Sequence, residues 1–189
     1  MDDANERREI LTMTSTRHVV LVGLMGSGKT TVGTLLADRL DRTFVDNDVV
    51  LERQTGRTAR AIAVTEGADA LHLREAEALV FALSSNVAAV IAAAAAAPME
   101  PFAAAAMSLH DVVYLRAMPA VLAARIAGVP DDRHRPFVAG GAPDTLEAQF
   151  AAQFAARDER YRALATVVVD AGEGGPEAVA DEISSALAR

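Results

Sequence analysis

Near the start of the chain, Gly23-Leu24-Met25-Gly26-Ser27-Gly28-Lys29-Thr30 fits G-x-x-x-x-G-K-[ST] at every fixed position. These are the residue types that a polyphosphate requires. Glycines let a loop curl until several backbone N–H groups converge on phosphate oxygens, and a helix starting at the loop's end adds the positive end of its dipole. Lys29 can bridge β- and γ-phosphates, and the Thr30 hydroxyl can bind Mg²⁺. Gly23, Met25, Gly26, Ser27, Gly28, Lys29, Thr30 and Thr31 therefore read as a nucleotide-binding set, with ATP and Mg²⁺ as expected ligands.

A second constellation, Asp46-Asn47-Asp48, follows a short apolar run. Its spacing lets both carboxylates reach the same side. At the carboxyl edge of an open parallel sheet, where ligands bind, one can hold a metal's water shell while the other takes a proton from an acceptor hydroxyl. The alternative is a pair of loop aspartates capping the next helix. His18, His72, His110 and His134 lack metal-ligand spacing and read as packing or surface residues.

The elements that must hold these groups alternate. His18 to Gly23 predicts a buried strand, and Thr30 to Leu40 a helix with Val32, Leu35, Leu36 and Leu40 on one side. Thr43 to Val45 is a second strand. Helical sequence fills most of Val49 to Leu83, broken near Gly56 and Gly67. Strands are expected at Val87 to Ala93, Val112 to Leu115 and Thr166 to Val169. Helices are expected at Pro101 to Leu109, Pro119 to Ala127, Asp144 to Ala163 and Pro176 to Leu187. Residues 128–143, rich in Gly, Pro, Asp and Arg, read as a lid loop, and residues 1–16 as a disordered extension. The pattern predicts one α/β domain over 17–189: a three-layer sandwich with a five-stranded parallel sheet and a P-loop NTPase fold.

Composition narrows the functions. The net charge of −8 argues against a nucleic-acid surface, which needs clustered Lys and Arg, and an anionic substrate needs a local pocket of arginines. With no cysteine, a disulfide framework and a thiolate metal site are both impossible. The longest apolar run, ending at Pro98, is too short to cross a bilayer, and the first residues lack the apolar centre of a signal peptide. A cytoplasmic monomer without membrane or nucleic-acid partners is expected.

The order GLMGSGKTTVG, FVDNDVVLERQTG, LHLREAE, RHRPF and RDERYRALA resembles the shikimate kinases over most of the chain after Thr16. The resemblance implies strand order 2-3-1-4-5 and transfer of a phosphoryl group from ATP to shikimate, a small hydroxylated carboxylic acid. It also implies roles. Asp46 would position Mg²⁺ through water, and Asp48 would bind the ring hydroxyl and act as base. Arg74, with Glu77 three residues on, and Arg157 would clamp the carboxylate. Arg135 would swing in with the lid toward the transferring group, and Arg125 would pack on adenine. The chain departs from the family where three consecutive glycines follow the third strand, since alanines fill that place between Ala92 and Ala97. Their Cβ atoms crowd the approach and disfavour positive φ, and Pro98 lacks an N–H. Two alternatives stay open: a kinase of another hydroxy acid or sugar such as gluconate, and a nucleotide-binding protein without catalysis.

Overall fold

The computed structural model describes residues 17–127 and 143–188. Five parallel strands, β1 (Val19–Val22), β2 (Thr43–Asp46), β3 (Ala89–Ala92), β4 (Asp111–Arg116) and β5 (Val167–Asp170), form one sheet in the order β2-β3-β1-β4-β5. The helices are α1 (Lys29–Leu40), α2 (Asn47–Thr55), α3 (Ala59–Glu66), α4 (Ala68–Leu83), α5 (Pro101–Met107), α6 (Pro119–Ala127), α7 (Pro143–Leu164) and α8 (Gly175–Leu187). The expected lid falls on residues 128–142, outside the described residues apart from Pro143 at the head of α7. The expected extension at 1–16 lies outside them as well.

Burial on both faces explains the run of β-branched residues in β1. Val20 and Val22 belong with Ile91, Val112 and Tyr114 to a core shared with α4, α5, α6 and α7. Val19 and Leu21 belong with Val90, Val113 and Leu115 to the core covered by α1 and α8. Successive strand residues thus feed opposite layers, and the three-layer sandwich follows. Each fully buried Leu or Ile contributes about 1.5–3 kcal/mol relative to an exposed one. The face toward α1 is tight. A Cβ at Gly33 would lie 2.4 Å from Phe44 Cε2 and 3.1 Å from Leu21 Cδ1, so β2 approaches α1 only because residue 33 has no side chain.

Boundaries differ from expectation by a residue or two, and two of the shifts have a local cause. β3 begins at Ala89, because Ser85–Val87 forms an exposed turn in which the Val87 N–H donates to Ser85 Oγ at 3.2 Å. Alanine is a poor strand former, yet β3 holds its place between β1 and β2, where small side chains suffice. Helix α2 begins at Asn47, earlier than Val49, because the Asp46 side chain accepts the Asp48 N–H and caps it. The expected helix breaks fall where Gly56 ends α2 at φ 68° and Gly67 ends α3 at φ 93°.

The amino edge of the sheet is closed by two histidines. His18 is fully buried; its Nδ1 accepts the Ala89 N–H at 3.2 Å, so its Nε2 carries the proton and donates to the Ser85 carbonyl at 3.2 Å. The His18 N–H donates to His110 Nδ1 at 3.3 Å, and the two rings meet edge-on at 4.8 Å. Among the described residues no helix is long and apolar enough to cross a membrane.

Candidate active site

The glycine-rich loop lies between β1 and α1 at the carboxyl edge of the sheet, as the spacing of its residues requires. Gly26 (φ 81°) and Gly28 (φ 96°) take left-handed conformations, and Gly28 caps α1. Lys29 Nζ folds back over the loop and donates to the carbonyls of Gly23 (2.8 Å) and Leu24 (3.2 Å). Burial pulls its ammonium down to about 8 against the opposing charges of Asp48, Asp46 and Glu75. The loop forms one wall of a cleft of about 830 Å³, large enough for a nucleotide and a small acceptor together.

The nucleotide end is built by α1, α6 and the turn leading into α8. Met25, Gly26, Ser27, Gly28, Thr30 and Thr31 line it beside Lys29, as does Arg125. Arg125 donates to the Gly26 carbonyl at 3.2 Å and to the Ala171 carbonyl at 2.6 Å, tying the loop to the chain after β5. Gly23 stands just behind. A Cβ there would meet the Leu115 carbonyl at 2.7 Å and Ser27 Oγ at 2.8 Å, which keeps the position glycine.

Asp46 caps the next helix and also faces the phosphate loop. Its Oδ1 accepts the Asp48 N–H at 3.0 Å and caps α2, while its Oδ2 accepts from the Thr30 hydroxyl at 3.1 Å. That pairing of a hydroxyl with a carboxylate supplies the hard oxygen donors that Mg²⁺ takes, so these residues fit the ion. Asn47 turns the other way; it is buried, and its Nδ2 donates to the Glu75 carbonyl at 3.1 Å. This bond fixes α2 to α4 and leaves Asp46 and Asp48 on the cleft side.

Helix α4 corrects the sequence reading. Arg74 does not line the cleft. It is half exposed and faces Glu77 Oε2 at 3.8 Å and Glu66 Oε2 at 4.0 Å. Ala68, His72 and Glu75 line the cleft instead, at positions i, i+4 and i+7 of one helical stripe. Two residues beyond His72 the helix has turned by roughly 200°, which carries Arg74 to the outside. His72 and Glu75 are the residues that sequence reasoning missed. Glu75 is buried, as are Leu71, Ala76, Ala78 and Leu79 on the same helix. Burial pushes its carboxyl up to about 8, with the charge of Asp48 adding to the effect. A glutamate inside an otherwise apolar helical stripe was the available signal.

The alanines after β3 form the floor between the two ends, with Ala92 through Ala96 lining the cleft. Asp41 is the one non-glycine residue with positive φ among the described residues, so the alanines carry no backbone strain. The Ala93 N–H donates to the Leu21 carbonyl (3.0 Å) and the Ala97 N–H to that of Ala94 (3.2 Å). An amide contact from this loop to a phosphoryl group therefore falls to Ala94, Ala95 or Ala96. Pro98 sits at the start of a 3₁₀ turn (Ala97–Met99), where a missing N–H costs little.

Helix α7 supplies the last wall. Arg157 and Gln153 line the cleft, with Arg157 Nη1 donating to Gln153 Oε1 at 3.5 Å. One turn on, the Tyr161 hydroxyl donates to the Ala95 carbonyl at 2.5 Å and Arg160 Nε donates to the Pro98 carbonyl at 3.2 Å. Asp158 accepts from the Tyr114 hydroxyl (2.8 Å) and from Arg116 Nε (3.0 Å), anchoring the helix on β4. Arg135 lies outside the described residues.

A phosphate loop, a threonine–aspartate pair and an arginine thus meet in one cleft on this sheet. The shikimate kinase family model matches residues 25–188. The chain belongs to the shikimate kinase family. A shikimate kinase of Mycobacterium bovis is 37% identical over 168 residues, covering 89% of this chain and 92% of the relative. A shikimate kinase 2 of Yersinia pseudotuberculosis is 34% identical over 173 residues, covering 91% and 96%. Among solved structures, the shikimate kinase of Acinetobacter baumannii in complex with shikimate superposes with a TM-score of 0.80 at 30% identity, covering 94% of this chain and 96% of that one.

Proposed function

We propose that this chain is an ATP-dependent shikimate kinase that transfers the γ-phosphoryl group of ATP to the 3-hydroxyl of shikimate. The observation that carries the reading is the shared cleft, whose walls bring together Lys29, Thr30, Asp48 and Arg157. Family membership favours shikimate over gluconate-like acceptors and over a protein without catalysis.

The chemistry follows from the walls. Backbone N–H groups of the loop and the start of α1 cradle the phosphates of ATP, and Lys29 reaches the β- and γ-oxygens. Arriving phosphate charge returns Lys29 to full protonation, reversing the effect of burial. Arg157 orients the acceptor by its carboxylate. Asp48 accepts the proton of the acceptor hydroxyl as that oxygen bonds to the γ-phosphorus, and the bond from phosphorus to the departing ADP oxygen breaks. Asp46 and Thr30 would hold Mg²⁺, which when bound neutralises charge on the β- and γ-oxygens. Arg135 is assigned a share of that neutralisation by the sequence resemblance. A cytoplasmic monomer, the expectation from the sequence, remains part of the reading.

The test is a coupled ADP-release assay with Mg-ATP and shikimate, run beside gluconate and other hydroxy acids. Saturable turnover with shikimate is expected, and Lys29→Met should lower kcat by at least about 10²–10³-fold. Turnover with another acceptor alone, or ATP binding without turnover, would overturn it.

A further inference from the structure

At the acceptor end, Arg157 from α7 and His72 from α4 both line the cleft, close enough for the guanidinium charge to act on the imidazole. The sequence led to an arginine pair there, but helical phase puts Arg74 outside and His72 within. We infer that His72, with Arg157, holds the acceptor's carboxylate, so that the acceptor is bound together with a proton and its affinity falls as pH rises. This deepens the shikimate kinase reading and rests on it.

Physical chemistry requires the coupling. His72 is partly buried, and burial lowers its pKa, with the charge of Arg157 lowering it further. The anionic groups acting on it are Asp69 on its own helix and Glu100 before α5, and together they do not restore the usual value. Glu75, one turn on, is itself held toward the neutral form by burial. The site before binding therefore favours a neutral imidazole. A carboxylate entering between Arg157 and His72 screens the guanidinium and adds an opposite charge, and both effects favour imidazolium. Linkage then sets the sign. If the bound complex holds the proton more tightly, acceptor affinity is highest at low pH and falls as pH climbs through the bound-state pKa. An arginine at this position would stay charged throughout and give no such slope.

The consequence is an acceptor KM that depends on pH while the ATP KM does not. The experiment measures KM and kcat for shikimate and KM for ATP between pH 6 and 8, in the wild type, His72→Gln and His72→Arg. In the wild type the shikimate KM should rise several-fold across that range, approaching the tenfold that one unit of pKa shift supplies. The ATP KM should vary much less. His72→Gln should show a flat shikimate KM near the wild-type value at pH 8. His72→Arg should show a flat KM near the wild-type value at pH 6. As a readout apart from turnover, the imidazole resonance lost in His72→Gln should titrate at higher pH when shikimate is added to the wild type. A pH-independent shikimate KM in an active wild type, or a slope that persists in His72→Gln, overturns this inference alone. Absence of shikimate turnover at every pH overturns it together with the proposed function.

Discussion

Removing one oxygen from Tyr161 tests how the floor of the cleft is held. Tyr161 is completely buried, its ring lies 5.0 Å from that of Tyr114, and its hydroxyl donates to the Ala95 carbonyl. Tyr161→Phe keeps the ring and its packing and deletes only the donor, leaving a buried carbonyl without its partner. The cost of such a loss is about 1–3 kcal/mol. Since the partner is a loop that can shift, the lower part of that range applies, about 1–2 kcal/mol. In a domain of this size that lowers Tm by roughly 2–8 °C. Ala95 also lines the cleft, so the loosened loop should be felt in catalysis. If the same free energy is lost from transition-state binding, kcat/KM for shikimate falls about 5–30-fold. Thermal unfolding and the coupled assay measure the two effects on one preparation, with the ATP dissociation constant as a control that should hold. A variant that melts like wild type refutes the hydrogen bond's contribution. One that melts lower but keeps kcat/KM refutes the claim that α7 sets the floor of the active site.

Other outcomes follow from geometry already described. Gly33→Ala should destabilise the fold by about 1–3 kcal/mol through collision with Phe44, with a lower urea midpoint and an unchanged acceptor KM in the fraction that folds. The bond from the His18 N–H requires an unprotonated His110 Nδ1, and burial holds His110 below the usual histidine pKa, with His18 and Arg17 adding to the effect. Folding therefore favours the uncharged ring. That stability is complete above about pH 6.5 and is lost as pH falls through the lowered folded-state value, so urea midpoints should drop from pH 7.5 to 5.5, less steeply in His110→Gln.

The phosphate loop was legible because its chemistry fixes both residue types and spacing, and the aspartate pair because it sits where β2 must end. The strand order came from resemblance, since periodicity alone places strands without ordering them. Arg74 was misplaced for a definable reason. Arg74–Glu77 and His72–Glu75 share the same three-residue spacing, so a motif of a basic residue and a glutamate fits either pair. Helical phase separates them. Leu71, Ala78 and Leu79 mark the buried stripe, and Glu75 falls inside it while Arg74 and Glu77 do not. The alanine loop was judged by the glycines it replaces, whose tolerance of positive φ seemed essential. Its actual path uses ordinary angles and takes support from Tyr161 and Arg160, which lie far away in sequence.

The placing of β1 also bears on how the chain matures. Val20 pairs with Ile91 on one side and with Val112 on the other, so the strand that carries the phosphate loop has no neighbour until much of the protein has been synthesised. A nascent chain holds the whole glycine-rich segment early but cannot shape it before β4 leaves the ribosome, and such long-range parallel pairing is slow. Nucleotide can thus act as a folding ligand only late, selecting chains whose sheet has already closed around β1.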